Sequence, residues 1–374
     1  MKKKIAILGA SYLQLPLYLK AKEMGVETIG FAWAEGAIAR DQCDRFYPIS
    51  TLEKDKIFKV CKQEKIDGIV TIASDISVPT VSYVARNMGL IGNSINSAIL
   101  CTNKFKMRQA FEKNGLKCPH FFKVVKNDDP KIKRQTLSFP LIVKPVDRSG
   151  SKGVNKVFNF EKLISAIGTS LSESICKQAI IEEFIEGIEV SVEVISFKGK
   201  HYILTITDKI TSGNPHYVEL EHHQPSLLSN EIQNDIANET IKSLDALSIK
   251  YGASHAEFII SKKGIYITEV GARMGGDFIG SDLVYLSTGY DFLKGVIEVA
   301  LNRFEYPVKQ WVKHSGVFFY SIESPEIGEI IKKNKFENVK IKSEITREYL
   351  QPLLQSADRA GYFLYQSDSK LILK

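Results

Sequence analysis

Two glutamates, Glu257 and Glu269, occupy matching positions in two β-type segments, 252–260 and 265–270. A short turn over 262–264, ending in glycine, predicts that these segments form an antiparallel hairpin. In that register the two carboxylates face each other, and they repel unless a cation lies between them. Mg²⁺ takes few protein oxygens and completes its shell with phosphate and water, so the pair predicts a magnesium site. The alternative is an exposed hairpin whose glutamates extend into solvent.

A lysine and a loop rich in glycine and serine form a second candidate site. Lys144 ends the apolar segment 141–144, and the loop 147–153 follows it. Glycine amides, serine hydroxyls and nearby cations together suit a polyphosphate. Neither the P-loop pattern nor the G-x-G-x-x-G pattern occurs, so a nucleotide would bind outside those two families. The alternative is a surface hairpin built from turn-forming residues.

An arginine continues the second strand of the predicted hairpin. Arg273 lies in the glycine-rich segment 270–277, within reach of whatever binds between the glutamates. An arginine there could stabilise charge on a transferred phosphoryl group or bind a carboxylate through two hydrogen bonds. The alternative is a turn that needs its glycines to connect a strand to the next helix.

Strands and helices alternate through the first hundred residues, which predicts a small parallel α/β domain. The predicted strands are 5–8, 27–31 and 68–72, the predicted helices are 13–24, 54–63 and 79–87, and the short segment 90–92 continues the alternation. Loops at the carboxyl ends of such strands often carry ligands. They contain Ser11, Gln14, Ser74 and Asp75, for which helix capping is the alternative role.

The remainder of the chain is predicted to be α+β. The predicted helices are 103–114, 232–247 and 290–301, the predicted strands include 141–144, 179–185 and 189–194, and a β-rich stretch begins at 315. Strict alternation in 189–194 predicts that its valines share one face and Glu189, Ser191 and Glu193 the other. The polar segment 211–229, which contains His222 and His223, is predicted to be a long loop.

The composition indicates a globular protein of two or three domains. The 374 residues are 44% hydrophobic and 25% charged, and the net charge of +7 is spread over the chain. That distribution does not favour nucleic-acid binding. Five cysteines with no C-x-x-C spacing favour a reducing, cytoplasmic location over a disulfide framework. No segment approaches the ~20 apolar residues of a membrane span, so no membrane association is expected.

Several ordered motifs together resemble the ATP-grasp superfamily, and within it the carboxylate–amine ligases related to carbamoyl phosphate synthetase and biotin carboxylase. These motifs are 7–10, 103–108, 143–145, 181–189, the two glutamates and 359–362. The resemblance implies a parallel α/β (pre-ATP-grasp) domain, a two-subdomain ATP-grasp fold and a small C-terminal β-rich subdomain. The corresponding ranges are 1–100 for the first domain, 101–190 for the nucleotide-binding lid, 191–305 for the catalytic and metal-binding subdomain, and 306–374 for the last.

The resemblance also implies roles for individual residues. Lys104 and Lys144 would contact the nucleotide phosphates, and the loop 147–153 would fold over them. Glu189 would bind the ribose hydroxyls. The loop residues expected near the phosphates are Ser149, Gly150, Ser151 and Gly153, and the residues expected to face adenine are Glu182, Phe184 and Ile185.

At the other end of the nucleotide, the resemblance assigns Glu257 and Glu269 to Mg²⁺, with Mn²⁺ as a substitute. Arg273 would lie beside the γ-phosphate, and His255, on the same strand face as Glu257, is expected to line the same cleft. Many members have asparagine two residues after the second metal glutamate, where this chain has Gly271. The resemblance therefore supplies no third metal ligand, and the number of metal ions stays open.

The implied activity is ATP-dependent ligation of a small-molecule carboxylate to an amine through an acyl phosphate, with release of ADP and phosphate. A carboxylase or kinase of the same fold is one alternative, and a nucleotide-binding regulator without turnover is another. The resemblance allows a homodimer. His222 and His223 would lie where such ligases often recognise the carboxylate substrate, with solvent-exposed loop histidines as the alternative.

Overall fold

The computed structural model describes residues 2–128, 137–214 and 216–373. The first domain contains a parallel sheet of four strands in the order β3–β2–β1–β4. These strands are β1 (Lys4–Leu8), β2 (Glu27–Phe31), β3 (Arg45–Tyr47) and β4 (Gly68–Val70). The three predicted strands are confirmed, and β3 was missed because three half-exposed residues carry too little apolar periodicity.

Five helices accompany this sheet and lead away from it. They are α1 (Leu15–Glu23), α2 (Lys54–Glu64), α3 (Val78–Met88), α4 (Ile95–Thr102) and α5 (Lys104–Lys113). Asn103 separates α4 from α5: its backbone is extended, and its side chain accepts a hydrogen bond from the Lys106 amide. This N-cap starts a new helix and places Lys104 in its first turn. The segment 90–92, expected to continue the alternation, contains no strand.

A second sheet forms the wall opposite the predicted metal hairpin. It is antiparallel, in the order β5–β8–β6–β7, with α6 (Phe160–Glu173) packed against it. The strands are β5 (Phe121–Val125), β6 (Leu141–Pro145), β7 (Asn155–Val157) and β8 (Gln178–Glu183). Strand β6 ends at the loop that was predicted to bind phosphate.

The largest sheet has eight antiparallel strands in the order β13–β12–β9–β10–β11–β14–β16–β15. In chain order they are β9 (Ile188–Phe197), β10 (Lys200–Thr211), β11 (Glu219–Gln224), β12 (Gly252–Ser261), β13 (Gly264–Gly271), β14 (His314–Tyr320), β15 (Lys340–Ile345) and β16 (Gly361–Ser367). The segment predicted as the C-terminal subdomain, 306–374, thus supplies three strands of this sheet. The parallel first domain and the antiparallel sheets agree with the predicted mixed fold class.

Four further helices complete the described residues: α7 (Asn230–Ala246), α8 (Val284–Thr288), α9 (Phe292–Ala300) and α10 (Glu326–Lys332). Helix α9 joins the first domain to the large sheet, because Phe292 and Ile297 pack in one apolar cluster with Ile7 of β1 and Ile195 of β9. Burying such a side chain contributes roughly 1.5–3 kcal/mol. Among the described residues, no helix is both long enough and apolar enough to cross a membrane.

The predicted loop over 211–229 is wrong in its middle. Residues 219–224 form β11, which pairs with β10 on one side and β14 on the other. The polar sequence of this strand concealed it, because its polar side chains are buried against neighbouring strands rather than alternating with apolar ones. The described residues 212–214, 216–218 and 225–229, on either side of the strand, contain no helix or strand.

Candidate active site

One cavity of about 510 Å³ lies between the β5–β8 sheet and the edge of the large sheet. Of the residues to which the resemblance assigns a nucleotide, metal or catalytic role, all except Gly153 and His255 line it. Lys104, Lys144 and Arg273 contribute positive charge, while Glu257 and Glu269 contribute negative charge from the hairpin β12–β13. The cavity therefore brings together the two candidate sites that the sequence presents more than a hundred residues apart.

Glu257 lies directly opposite Glu269 across the hairpin, as predicted, although the connection differs. Ser261 pairs with Gly264, so the turn has two residues rather than three. A β-bulge between Glu257 and Phe258 then shifts the register by one residue and brings the carboxylates opposite each other. The side chains are 30% and 21% exposed, which argues against glutamates that simply extend into solvent.

Each glutamate of the pair accepts a hydrogen bond from a lysine. Lys104 Nζ donates to Glu269 Oε1 at 2.7 Å and to the backbone carbonyl of Arg148 at 2.8 Å. Lys209 Nζ donates to Glu257 Oε1 at 3.0 Å. Burial would raise the pKa of Glu257, but Lys209 and His255 outweigh burial and hold that pKa well below its usual value. Glu257 is thus available as an anionic ligand near neutral pH.

The opposite wall contains a buried chain of charges. Lys144 Nζ lies 2.7 Å from Glu182 Oε2, and Glu182 Oε1 lies 2.7 Å from Arg108 Nε. Burial lowers the pKa of Lys144 despite the neighbouring carboxylate. The pKa of Glu182 is also lowered: burial would raise it, but Arg108 and Lys144 dominate. Glu182 is therefore an anion that holds Lys144 at the cavity wall.

The far end of the cavity is bordered by an aromatic residue and a carboxylate. The Phe184 ring lies under Lys156 Nζ, 3.3 Å from the ring centroid, and beside the Tyr217 ring at 6.1 Å. Glu189 is the second residue of β9 and pairs with Lys209 and Ile259 in the sheet register. Burial raises the pKa of Glu189, although Lys209 opposes that shift.

The loop 147–153 is anchored at its base and open at its tip. Asp147 accepts hydrogen bonds from the amides of Ile175 and Cys176, at 3.2 and 2.8 Å. Gly150 and Ser151 both adopt left-handed backbone conformations, with φ of 66° and 58°. Gly153 also has positive φ, and a Cβ there would contact Pro145, so this glycine packs under the loop instead of lining the cavity.

His255 lies behind Glu257 rather than in the cavity wall. Its Nδ1 is hydrogen-bonded to the buried Glu193, and its Nε2 to Glu257 Oε1 at 3.0 Å. Both partners are acceptors, so the ring donates from both nitrogens. Burial would lower the pKa of His255, but the two carboxylates raise it to about 9. Contrary to the expectation that it lines the cleft, His255 orients Glu257 from behind.

Arg273 extends from the end of β13 toward the first domain. Its Nη2 donates to Asp75 Oδ2 at 2.8 Å. Burial would lower the pKa of Arg273, but Asp75 outweighs it, and the pKa lies above its ordinary value. Asp75, which the sequence presents either as a ligand-carrying loop residue or as a helix cap, thus contacts the residue that follows the β12–β13 hairpin.

The other weak candidates of the first domain lie in local networks. Ser11 donates from its amide and hydroxyl to Gln14 Oε1, and Gln14 Nε2 donates to the Ile72 carbonyl at 2.8 Å. The Ser74 hydroxyl contacts that of Ser77 at 2.8 Å. Gln14 therefore ties the loop after β1 to the loop after β4. None of the three lines the large cavity.

His222 and His223 are buried in β11, not exposed in a loop, so both sequence interpretations were wrong about their setting. Each is 1% exposed. His223 lies 2.7 Å from Glu221 Oε2 and 3.0 Å from the Tyr365 hydroxyl. Burial lowers the pKa of both histidines. They are neutral near pH 7 and stand away from the large cavity.

Three charged residues of the site were not recognised as such from the sequence: Arg108, Glu193 and Lys209. Arg108 was noted as part of a motif without a role, and Glu193 as part of a strand face. Lys209 lies near the end of β10, which a two-residue turn, Lys198–Gly199, joins to β9 as a hairpin. That turn was the local signal for the pairing. The alternation over 189–194 was the one sequence signal that pointed to Glu193. The structure shows that Glu193 is fully buried, and a buried carboxylate needs a partner.

Comparison with known proteins places this geometry in a family. The family model described as "ATP-grasp domain" matches residues 137–282. A formate-dependent phosphoribosylglycinamide formyltransferase from Saccharolobus solfataricus is 27% identical over 285 residues, covering 72% of this chain and 70% of that protein. The chain contains an ATP-grasp domain.

Other relatives of this ATP-grasp chain are ligases. Alanine–anticapsin ligase from Bacillus subtilis is 24% identical over 245 residues, covering 59% of this chain and 51% of that enzyme. The structure of L-amino acid ligase from Bacillus licheniformis superposes with a TM-score of 0.80 at 24% identity, covering 98% of this chain and 94% of that one. The latter likeness shows a shared fold. The predictions of an ATP-grasp fold and an ATP-grasp ligase are confirmed.

Proposed function

We propose that this chain binds MgATP in the 510 Å³ cavity and uses it to activate a small carboxylate for attack by an amine. One observation carries the proposal: Glu257 faces Glu269 at the same end of the cavity as Lys104 and Arg273. Cations and paired carboxylates at one end suit the charged end of a triphosphate. The hinge residues 184–185 lie along the same cavity.

The nucleotide would bind along the length of this cavity. Lys144 and the loop residues Ser149, Gly150 and Ser151 would contact the phosphates, with Gly153 supporting the loop from below. Glu189 would accept hydrogen bonds from the ribose hydroxyls. Phe184 and Ile185 would border adenine, and Glu182 would hold Lys144 in place through the contact of 2.7 Å.

The donor set of the hairpin fits a hard divalent cation. Glu257 and Glu269 would hold Mg²⁺, or Mn²⁺ in its place, and the bound ion would offset charge on the phosphates. Lys104 and Lys209 neutralise the two carboxylates in the structure described. On nucleotide binding, Lys104 is then free to turn from Glu269 to a phosphate oxygen. His255, held by Glu193, keeps Glu257 oriented.

The proposed reaction has two displacements. A carboxylate oxygen of the acid attacks the γ-phosphorus, and the bond to the β-phosphate oxygen breaks with release of ADP. The amine nitrogen then attacks the acyl carbon, the bond to the phosphate oxygen breaks, and the nitrogen loses a proton to solvent. Arg273 would neutralise charge on the transferred group, and positioning would supply much of the remaining rate.

The substrates are proposed by class only: a small carboxylic acid and an amine. The names of the relatives point to formate in one case and to alanine with anticapsin in another, which supports small acids or amino acids as acceptors of phosphate. A biotin carboxylase domain of the same fold is described as a dimer, which supports a homodimer for this chain as well. A cytoplasmic location stays a prediction.

Two alternatives remain to be tested against this proposal. A carboxylase or kinase of the same fold would use bicarbonate or a hydroxyl group as acceptor. A regulator without turnover would bind the nucleotide and release no phosphate. The intact set of Lys104, Lys144, Glu257, Glu269 and Arg273 argues against the regulator, because loss of activity would remove the constraint on them.

The function is tested by measuring phosphate release from MgATP with pooled small carboxylates and pooled amines. We expect release that requires one acid and one amine together, and no release by Glu269→Gln under the same conditions. Release that depends on the amine pool but not on any added acid, or on a hydroxyl compound alone, would contradict the ligase assignment.

A further inference from the structure

Gly271 has no conformational reason to be glycine. It ends β13, and its φ lies outside the left-handed region, unlike Gly264 at the other end of the strand, where φ is 122°. A side chain is instead excluded by space. A Cβ at 271 would lie 2.8 Å from Asp75 Oδ1 and 2.9 Å from Arg273 Cζ, closer than real Cβ atoms approach such atoms.

The space beside Gly271 is filled by an ion pair between two domains. Asp75 follows β4 in the first domain, and Arg273 follows β13, 198 residues later. Asp75 Oδ2 accepts the hydrogen bond from Arg273, while Asp75 Oδ1 is buried toward Gly271 and has no hydrogen-bond partner among the described residues. The carboxylate is therefore fitted between the strand end and the guanidinium.

The loop that carries Asp75 is fixed to the turn that carries Arg273. The Ala73 amide donates to the Met274 carbonyl at 3.1 Å, and Ala73 adopts a left-handed conformation with φ of 53°. Such a conformation is costly for alanine and persists only where the surroundings impose it. Gln14 holds the residue before it through the Ile72 carbonyl. The first domain thus presents Asp75 at a defined point.

We propose that Asp75 is a positioning residue for Arg273, and that this pair, not the backbone, requires glycine at position 271. The inference rests on the proposed function, in which Arg273 serves the transferred phosphoryl group. Glu269 and Glu257 also attract this guanidinium. By holding Arg273 on the side of the first domain, Asp75 keeps the arginine from neutralising the carboxylates that would bind the metal.

If the pair requires the glycine, the effects of substitutions at positions 75 and 271 on the thermal unfolding midpoint should not be additive. We expect Gly271→Ala alone to lower the thermal unfolding midpoint by several degrees, because the new Cβ displaces the buried pair. In an Asp75→Ala background, the same Gly271→Ala change should cost less than about a third of that shift, since Arg273 is free to move. Gly276→Ala is the matched control: its Cβ would meet Ala73 Cβ at 3.4 Å and Leu13 Cδ2 at 4.0 Å, which are ordinary contact distances, so little change is expected.

Turnover separates positioning from simple support of the fold. Asp75→Asn keeps the shape but removes the charge, and we expect kcat to fall about a hundredfold while the KM for ATP changes less than about threefold. Asp75→Glu should recover part of the loss. Rates of Asp75→Asn equal to wild type would overturn the positioning role.

The unfolding measurements on the single and double variants need no substrate, so their outcome is independent of the proposed reaction. Equal penalties for Gly271→Ala in both backgrounds would overturn the inference, even if the ligase activity is confirmed. If Gly271→Ala yields no folded protein, the inference requires that the double variant with Asp75→Ala does fold. Loss of acyl-phosphate chemistry with intact coupling would instead contradict the proposed function alone.

Discussion

Lys104 is hydrogen-bonded to one of the two carboxylates that are proposed to bind the metal: its Nζ donates to Glu269 Oε1 at 2.7 Å. The same amine also donates to the Arg148 carbonyl at the base of the loop over 147–153. One lysine therefore links the β12–β13 hairpin to the loop that is expected to cover the phosphates. Its position implies opposite effects on the binding of a metal ion alone and of a nucleotide.

Replacing Lys104 by alanine should strengthen binding of Mn²⁺ in the absence of nucleotide and weaken binding of MgATP. Removing the cation frees Glu269 for the metal, but it also removes a phosphate contact. We expect changes of about tenfold or less for the metal ion, since the site is partly exposed. Electron paramagnetic resonance measures free Mn²⁺, and calorimetry measures the nucleotide. Lys106→Ala, at an exposed position of the same helix, is the control. If Lys104→Ala changed the affinities for Mn²⁺ and MgATP in the same direction, the proposed double role of Lys104 would be wrong.

Glu269→Gln removes one charge from the hairpin but keeps the shape of the side chain. Turnover should fall by orders of magnitude, because one of two protein ligands to the metal becomes a neutral amide. The variant should still fold, with a thermal unfolding midpoint below the wild-type value, because the buried Lys104 loses the charge of its partner. Steady-state rates at saturating Mg²⁺ check this prediction. Wild-type rates there would rule out the metal assignment.

The nucleotide orientation is tested with ATP and adenosine in parallel. Lys144→Ala should weaken ATP far more than adenosine, because its amine faces the phosphates. Glu189→Ala should weaken both, because both ligands contain ribose. Calorimetry gives the two affinities for each variant. Equal losses for Lys144→Ala with both ligands would mean that this lysine acts through Glu182, 2.7 Å away, as a structural element.

Asp277 provides a pH-dependent test of the fold around the site. Its Oδ1 accepts a hydrogen bond from Arg359 at 2.7 Å, and Arg359 lowers the pKa of Asp277 against the opposing effect of burial. A lowered pKa stabilises the fold above the unfolded value of about 4, and that contribution is lost as the pH falls through the folded value.

Asp277→Asn should therefore lower the thermal unfolding midpoint at neutral pH, where breaking a buried pair costs up to roughly 3–5 kcal/mol. The difference in thermal unfolding midpoint between wild type and variant should become smaller below about pH 4. Differential scanning calorimetry across that range measures it. A gap that stays constant down to about pH 3 would show that the ion pair contributes no charge-dependent stability.

The sequence predicts the facing glutamates because residue counts around a hairpin constrain register, although a two-residue turn with a bulge replaces the three-residue turn. It predicts the phosphate loop because glycine and serine have local conformational preferences. Local pattern could not reveal the Asp75–Arg273 pair, whose members are 198 residues apart. Strand β11 was not predicted for another reason. Its histidines and glutamine are buried and hydrogen-bonded to neighbouring residues, but in the sequence they resemble an exposed polar loop.

In the proposed reaction, an oxygen of the carboxylate attacks the γ-phosphorus of ATP. The most direct measurement follows an isotopically labelled carboxylate oxygen during turnover, together with chromatography of the nucleotide product. We predict stoichiometric ADP and transfer of one labelled oxygen from the acid into inorganic phosphate. AMP with the label retained in its phosphate, or ADP with no label in phosphate, would contradict it.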